Sequence, residues 1–101
     1  MMRLLYRESA LADIEGVLDH IEFKLLNPAA AYRLGEGLLA TCEMLETHPE
    51  LGVRRDDLQA GLRVFSHRGY GIYYSIDAHN RLVKIDRVFP PLSNVTPDSF
   101  R

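Results

Sequence analysis

Four histidines, His20, His48, His67 and His79, and one cysteine, Cys42, are the side chains of this 101-residue chain that could bind a metal or attack an electrophile. The histidines fall in separate segments with no carboxylate or second histidine at ligand spacing, so no metal site is expected. Cys42 lies in an apolar stripe of helical period, which makes it a small buried hydrophobe rather than an accessible nucleophile. None of Ser9, Ser66, Ser75, Ser93 and Ser99 sits in a nucleophile elbow, and no glycine-rich phosphate loop occurs. Hydrolase and nucleotide-binding chemistry fall away, and no cofactor is implied. What remains is cationic: Arg54, Arg55, Arg63, His67, Arg68, Arg81, Lys84 and Arg87 all lie in the second half. Residues 51–101 carry eight Lys/Arg against five acids, whereas residues 1–50 carry nine acids against four Lys/Arg. With a net charge of -2, the chain cannot coat a polyanion, so any anionic or protein target must meet a local basic surface.

The elements that would position these cations can be read from periodicity. Arg3-Leu4-Leu5-Tyr6-Arg7 reads as a short strand, after which Ser9 is placed to cap a helix starting near Ala10. Leu11, Ile14, Leu18, Ile21 and Leu25 form one apolar stripe opposite Asp13, Glu15, Asp19 and Glu22. Asn27-Pro28 ends that helix and caps a second, whose face carries Ala31, Leu34, Leu38, Cys42 and Leu45 and which stops at His48-Pro49. The period then changes to alternation. Leu62–Ser66, Tyr70–Ile76 and Leu82–Val88 read as three antiparallel strands joined by turns at His67–Gly69 and Asp77–Asn80. Tyr70, Ile72, Tyr74 and Ile76 share the core face, and Tyr73 points the other way, where it could bind a partner. The expectation is an α+β domain over residues 1–89: a helical hairpin on one face of the sheet, the other face partly open. Residues 90–101, rich in proline, are expected to be an extended tail.

One unpaired cysteine excludes an internal disulfide and suits a reducing compartment, the cytoplasm. Arg7 and Glu8 interrupt the amino-terminal apolar stretch before a signal core could form, and no apolar run approaches a membrane span.

The order strand, helical hairpin and meander, with Ala12-Asp13-Ile14, Asn27-Pro28-Ala29-Ala30-Ala31, His48-Pro49-Glu50-Leu51-Gly52, Gly61-Leu62-Arg63 and Tyr70-Gly71-Ile72-Tyr73-Tyr74, resembles the ParE branch of the RelE/ParE toxin superfamily up to about Val88. That resemblance implies a toxin of a type II toxin-antitoxin pair, of the kind associated with plasmid stabilisation. ParE-type members poison DNA gyrase by binding, whereas RelE-type members are ribosome-dependent ribonucleases. Its partner would be a ParD-like, ribbon-helix-helix antitoxin encoded by the adjacent gene, giving a hetero-oligomer. RNA cleavage needs a proton acceptor, cations for the phosphate and an acid for the leaving oxygen. Gly71 stands where the ribonuclease branch places an arginine, and the only late aromatic, Phe100, has no hydroxyl. The expected reading is therefore a non-enzymatic gyrase inhibitor, with a RelE-like ribonuclease or a degenerate antitoxin-binding member as alternatives. The target surface is expected at Arg63, His67, Arg68, Tyr73 and Arg87, and the antitoxin groove at Leu11, Leu18, Leu34 and Leu38.

Overall fold

Ala10 and Ile14 enter the core and Val17, Leu18 and Ile21 pack beside them, in a computed structural model that describes residues 1–101. They lie on α1 (Glu8–Asp19) and on the π-helical turn His20–Lys24 that continues it. The buried face is turned by one residue from the expected stripe, so Leu11 is exposed, and beyond the wider π turn Leu25 is exposed too. After Leu26 the chain reverses into α2 (Pro28–Thr47). Asn27 caps it as expected, its Oδ1 accepting from the Ala30 amide at 3.1 Å, with Pro28 in the first turn where no amide hydrogen is needed. A Cβ on Gly35 would stand 3.2 Å from Leu18, so glycine there allows the two helices to approach.

Five strands form one sheet in the order β1-β5-β4-β3-β2: β1 (Arg3–Tyr6), β2 (Val53–Arg54), β3 (Leu62–His67), β4 (Tyr70–Asp77) and β5 (Leu82–Phe89). The antiparallel β3-β4-β5 meander follows the alternation, and β1 joins it parallel to β5, from Arg3 beside Leu82 to Tyr6 beside Ile85. The edge strand β2 pairs Val53 with Val64 and Arg54 with Arg63, in a segment read from sequence as a loop; two residues are too few to show alternation. Arg68 and Gly69 join β3 to β4 with φ of 49° and 84°, as a two-residue hairpin of right-handed strands requires. Between Tyr73, opposite Arg87, and Tyr74, opposite Ile85, the register slips, and Asp86 is left as the extra residue of a bulge in β5.

That bulge explains the amino end of α1. Ser9 does not cap the helix: Arg7 is the cap residue, no side chain accepts from the first-turn amides, and the Ser9 hydroxyl donates to the Asp86 carbonyl at 2.7 Å.

The main core joins Leu34, Leu38, Cys42 and Leu45 of α2 to Ile72, Tyr74, Val83, Ile85 and Val88 of the sheet. A second, smaller cluster of Leu58, Leu62 and Tyr73 is completed by Val64, Phe89, Val95 and Phe100. The last residues are therefore not extended throughout: a 3-10 turn, Pro97–Phe100, brings the Phe100 ring to 5.3 Å from Tyr73 and 6.1 Å from Phe89. The tail covers part of the sheet face that the sequence left open.

Tyr74 is fully buried, and its hydroxyl donates to the Pro49 carbonyl at 2.6 Å while accepting from the Gly52 amide at 2.8 Å. It pins the exit of α2 to the middle of the sheet. Tyr74→Phe leaves that amide and carbonyl without partners at a cost of about 1–3 kcal/mol, and for a domain of this size about 5–15 °C in Tm. Thermal unfolding checks this, and an unchanged Tm would mean that both groups are satisfied without the phenol.

Candidate functional site

The five residues expected on the target surface are placed in three different settings. Arg63 Nη1 donates to the carbonyls of Gly52 at 2.8 Å and Glu50 at 3.3 Å, so much of its guanidinium is occupied in holding the Pro49–Gly52 turn against β3. Tyr73 and Arg87 are cross-strand neighbours, but Tyr73 is only 7% exposed beneath the tail. Arg87 is committed as well. Its Nε and Nη2 donate to Asp13 at 2.7 and 2.9 Å, its Nη1 donates to the Ser99 carbonyl at 2.8 Å, and its guanidinium carbon lies 4.5 Å from the centre of the Phe89 ring. Hydrogen bonding by Asp13 raises the Arg87 pKa further above its ordinary value.

His67 and Arg68 form the tip of the β3-β4 hairpin. His67 is half-buried against α2, its Nδ1 3.2 Å from Thr41 Oγ1, and Gly37 leaves room for the ring where a Cβ would collide with it. Since the Thr41 hydroxyl donates to the Gly37 carbonyl at 2.8 Å, its oxygen is the acceptor and Nδ1 the donor. Arg68 is exposed and makes no ion pair or side-chain hydrogen bond in the structure. A side chain in the left-handed region costs about 1–2 kcal/mol. Of the five, Arg68 alone presents its whole guanidinium to solvent.

The expected antitoxin groove is displaced by one helical step. Leu38 is fully buried and Leu34 is 9% exposed, both under α2 rather than on its outer surface. Leu18 does line an outer groove between α1 and α2, together with Ala31, Tyr32, Gly35 and Leu39, and Glu22 and Glu36 stand among them. Tyr32 is 70% and Leu39 41% exposed, and Phe23, Leu25 and Leu26 extend the exposed apolar surface toward the hairpin turn. Tyr32 and Leu39 were missed because the stripe of period 3.6 was assigned to one use. Their signal is in the sequence: apolar residues off the α2 stripe have no intramolecular partner.

Elsewhere the cations are paired locally. Arg54 bonds Asp56 through two nitrogens and Arg55 bonds Asp57 likewise. The Arg54 hydrogen bonds, helped by the Gly61 amide, hold the Asp56 carboxyl down at about 2. Burial pushes the Cys42 thiol up to about 11, against an opposing hydrogen bond from Tyr6, so it stays protonated and unreactive at neutral pH.

These features place the chain in a class of small α+β proteins whose outer helical surface is apolar and whose basic sheet is largely self-paired. A family model described as the ParE toxin of type II toxin-antitoxin systems, parDE, matches residues 4–90, which include both helices and all five strands. The chain belongs to the ParE toxin family. No curated protein sequence matches it. A solved chain described as part of the chromosomal ParDE TA system from P. aeruginosa superposes with a TM-score of 0.76 at 19% identity, covering 90% of this chain and 97% of that one.

Asp13 accepts three hydrogen bonds, the third from the Val88 amide at 2.9 Å, and so fastens α1 to β5. Because both partners are largely shielded, Asp13→Ala is expected to destabilise the domain by about 2–3 kcal/mol and to accelerate hydrogen exchange at Val88. A loss below about 0.5 kcal/mol, the size typical of an exposed pair, would overturn that assignment.

Proposed function

We propose that this protein is a cytoplasmic toxin that inhibits DNA gyrase by binding, and that a ParD-like antitoxin from the adjacent gene neutralises it. The single observation that carries the antitoxin half is the exposed apolar groove of the helical hairpin. An isolated soluble domain rarely leaves a tyrosine and several leucines uncovered together, and an amphipathic helix laid along α1 and α2 would cover them. Glu22 and Glu36 at the groove favour a segment that brackets its apolar anchors with lysine or arginine.

Action by binding is supported by how the conserved-looking chemistry of the sheet is used internally. Arg87 and Tyr73 hold the tail, and Arg63 holds a turn. Gly71, where the ribonuclease branch has an arginine, could not gain even a Cβ without bringing it to 2.9 Å from the Tyr73 ring. Arg68 is the cation most available to a target, and its exposed guanidinium sits on a backbone conformation that glycine or asparagine would adopt with less strain. His67, anchored on α2, fixes the base of that hairpin tip.

The test has two arms. Leu39→Glu should weaken antitoxin binding about 100-fold or more, since truncating or charging a central anchor costs 2 kcal/mol or more, while Tm stays close to wild type. Arg68→Glu should abolish inhibition of gyrase supercoiling with stability changed by less than about 0.5 kcal/mol. Unchanged antitoxin affinity in the first variant would move the partner off this groove. Full inhibition by Arg68→Glu would remove the hairpin tip from the target surface, and a wild-type protein that leaves gyrase active would end the gyrase reading altogether.

A further inference from the structure

The bulge in β5 opens a polar cleft that none of the preceding functions uses. It has a volume of 280 Å³ and is lined by Arg7 and Ser9 from the start of α1, by Asp86 and Arg87 from the bulge, by Gln59, and by the tail residues Ser99 to Arg101. Asp86 is 7% exposed. Its Oδ2 accepts from the Ser75 hydroxyl at 3.1 Å, but its Oδ1 has no hydrogen-bond partner. Arg7 Nε lies 2.6 Å from that same Oδ1, so charge is balanced while the N–H direction is wrong for a hydrogen bond. A buried carboxylate oxygen in that position has room for a properly directed donor.

The remaining groups ask for the opposite. Arg7 keeps both terminal nitrogens free, and Arg87 has used three of its five N–H groups. Gln59 makes no side-chain hydrogen bond, the Ser99 hydroxyl accepts from Thr96 but donates to nothing, and the first-turn amides of α1 lack a side-chain cap. Ser9 is different: its proton is already given to the Asp86 carbonyl. The cleft is thus rich in donors around one acceptor-only oxygen. A complementary ligand is an oxyanion with several acceptor oxygens and one proton of its own. Phosphate monoesters and inorganic phosphate fit, because their second ionisation lies near neutrality, about pKa 6 for an ester, and a nearby carboxylate retains that proton at little cost. A carboxylic acid would have to be protonated well above its pKa of about 4. Sulfate and phosphate diesters carry no proton to give.

We infer that this cleft is a binding site for a singly protonated phosphate group, with Asp86 accepting the P–O–H proton and Arg7, Arg87, Ser99 and the start of α1 donating to the other oxygens. Asp86 would act as the selectivity residue: it repels a proton-free oxyanion and welcomes one that brings a hydrogen bond donor.

The experiment is an NMR titration of the full chain at pH 7 and fixed ionic strength, with inorganic phosphate, a nucleoside 5′-monophosphate, dimethyl phosphate and sulfate in separate arms. Saturable shifts are expected at Arg7, Asp86 and Ser99 with phosphate, at least tenfold weaker binding of sulfate, and none of dimethyl phosphate. Tighter binding of the nucleotide than of phosphate would identify an ester as the ligand, and equal binding the free ion. Asp86→Asn should bring sulfate and phosphate to within about threefold of each other. Wild-type protein that binds sulfate as well as phosphate, or that shows no saturable shift with either, overturns the proposal. That comparison stands on wild type alone, even if the variant does not fold.

Discussion

The ion pair between Asp13 and Arg87 joins three parts of the chain that no other polar contact joins together. Asp13 belongs to the first helix, Arg87 to the last strand, and the guanidinium passes on a hydrogen bond to Ser99 in the tail. Its strength comes from shape, since two parallel N–H groups meet two carboxylate oxygens, and from partial exclusion of water. A consequence for function is subtraction. A residue that looks in sequence like a free cation on an open sheet is consumed by the architecture, so the basic character of residues 51–101 overstates what a target would meet. Arg54 and Arg55 are discounted in the same way by Asp56 and Asp57.

What could be read from the sequence was whatever repeats. Ile14 on α1, Leu34 and Leu38 on α2, and the alternation of Ile72 and Tyr74 against Tyr73 all follow from a side chain's period meeting a single buried face. Single events were illegible. The β2 pairing is two residues long, the Asp86 bulge has no compositional mark, and the folding back of the tail depends on Phe100 finding Tyr73 across the sheet. The antitoxin groove is instructive because the leucines were right and their use was wrong. Leu34 and Leu38 repeat with the core, and the residues that break the pattern, Tyr32 and Leu39, are the ones facing outward.

The two surfaces left available differ in kind. Between the helices the groove is apolar with acidic neighbours, suited to a partner that buries area. At the hairpin tip a single guanidinium stands on a strained turn, suited to a contact in which one charge is desolvated. The bulge adds a third, a small polar recess between them in character.

The pairing of β1 with β5 has a bearing on how the chain is made. Arg3 sits beside Leu82 and Asp13 beside Arg87, so the beginning of the chain cannot find its neighbours until almost all of it has left the ribosome. At about 5–20 residues per second, the nascent helices wait on the order of several seconds with their apolar faces uncovered, and the sheet then closes from both ends of the chain at once. A toxin built this way is harmless as a fragment. Premature termination anywhere before β5 yields a chain without its central strand, and the window in which a partner could meet the finished surface opens only when translation is nearly done.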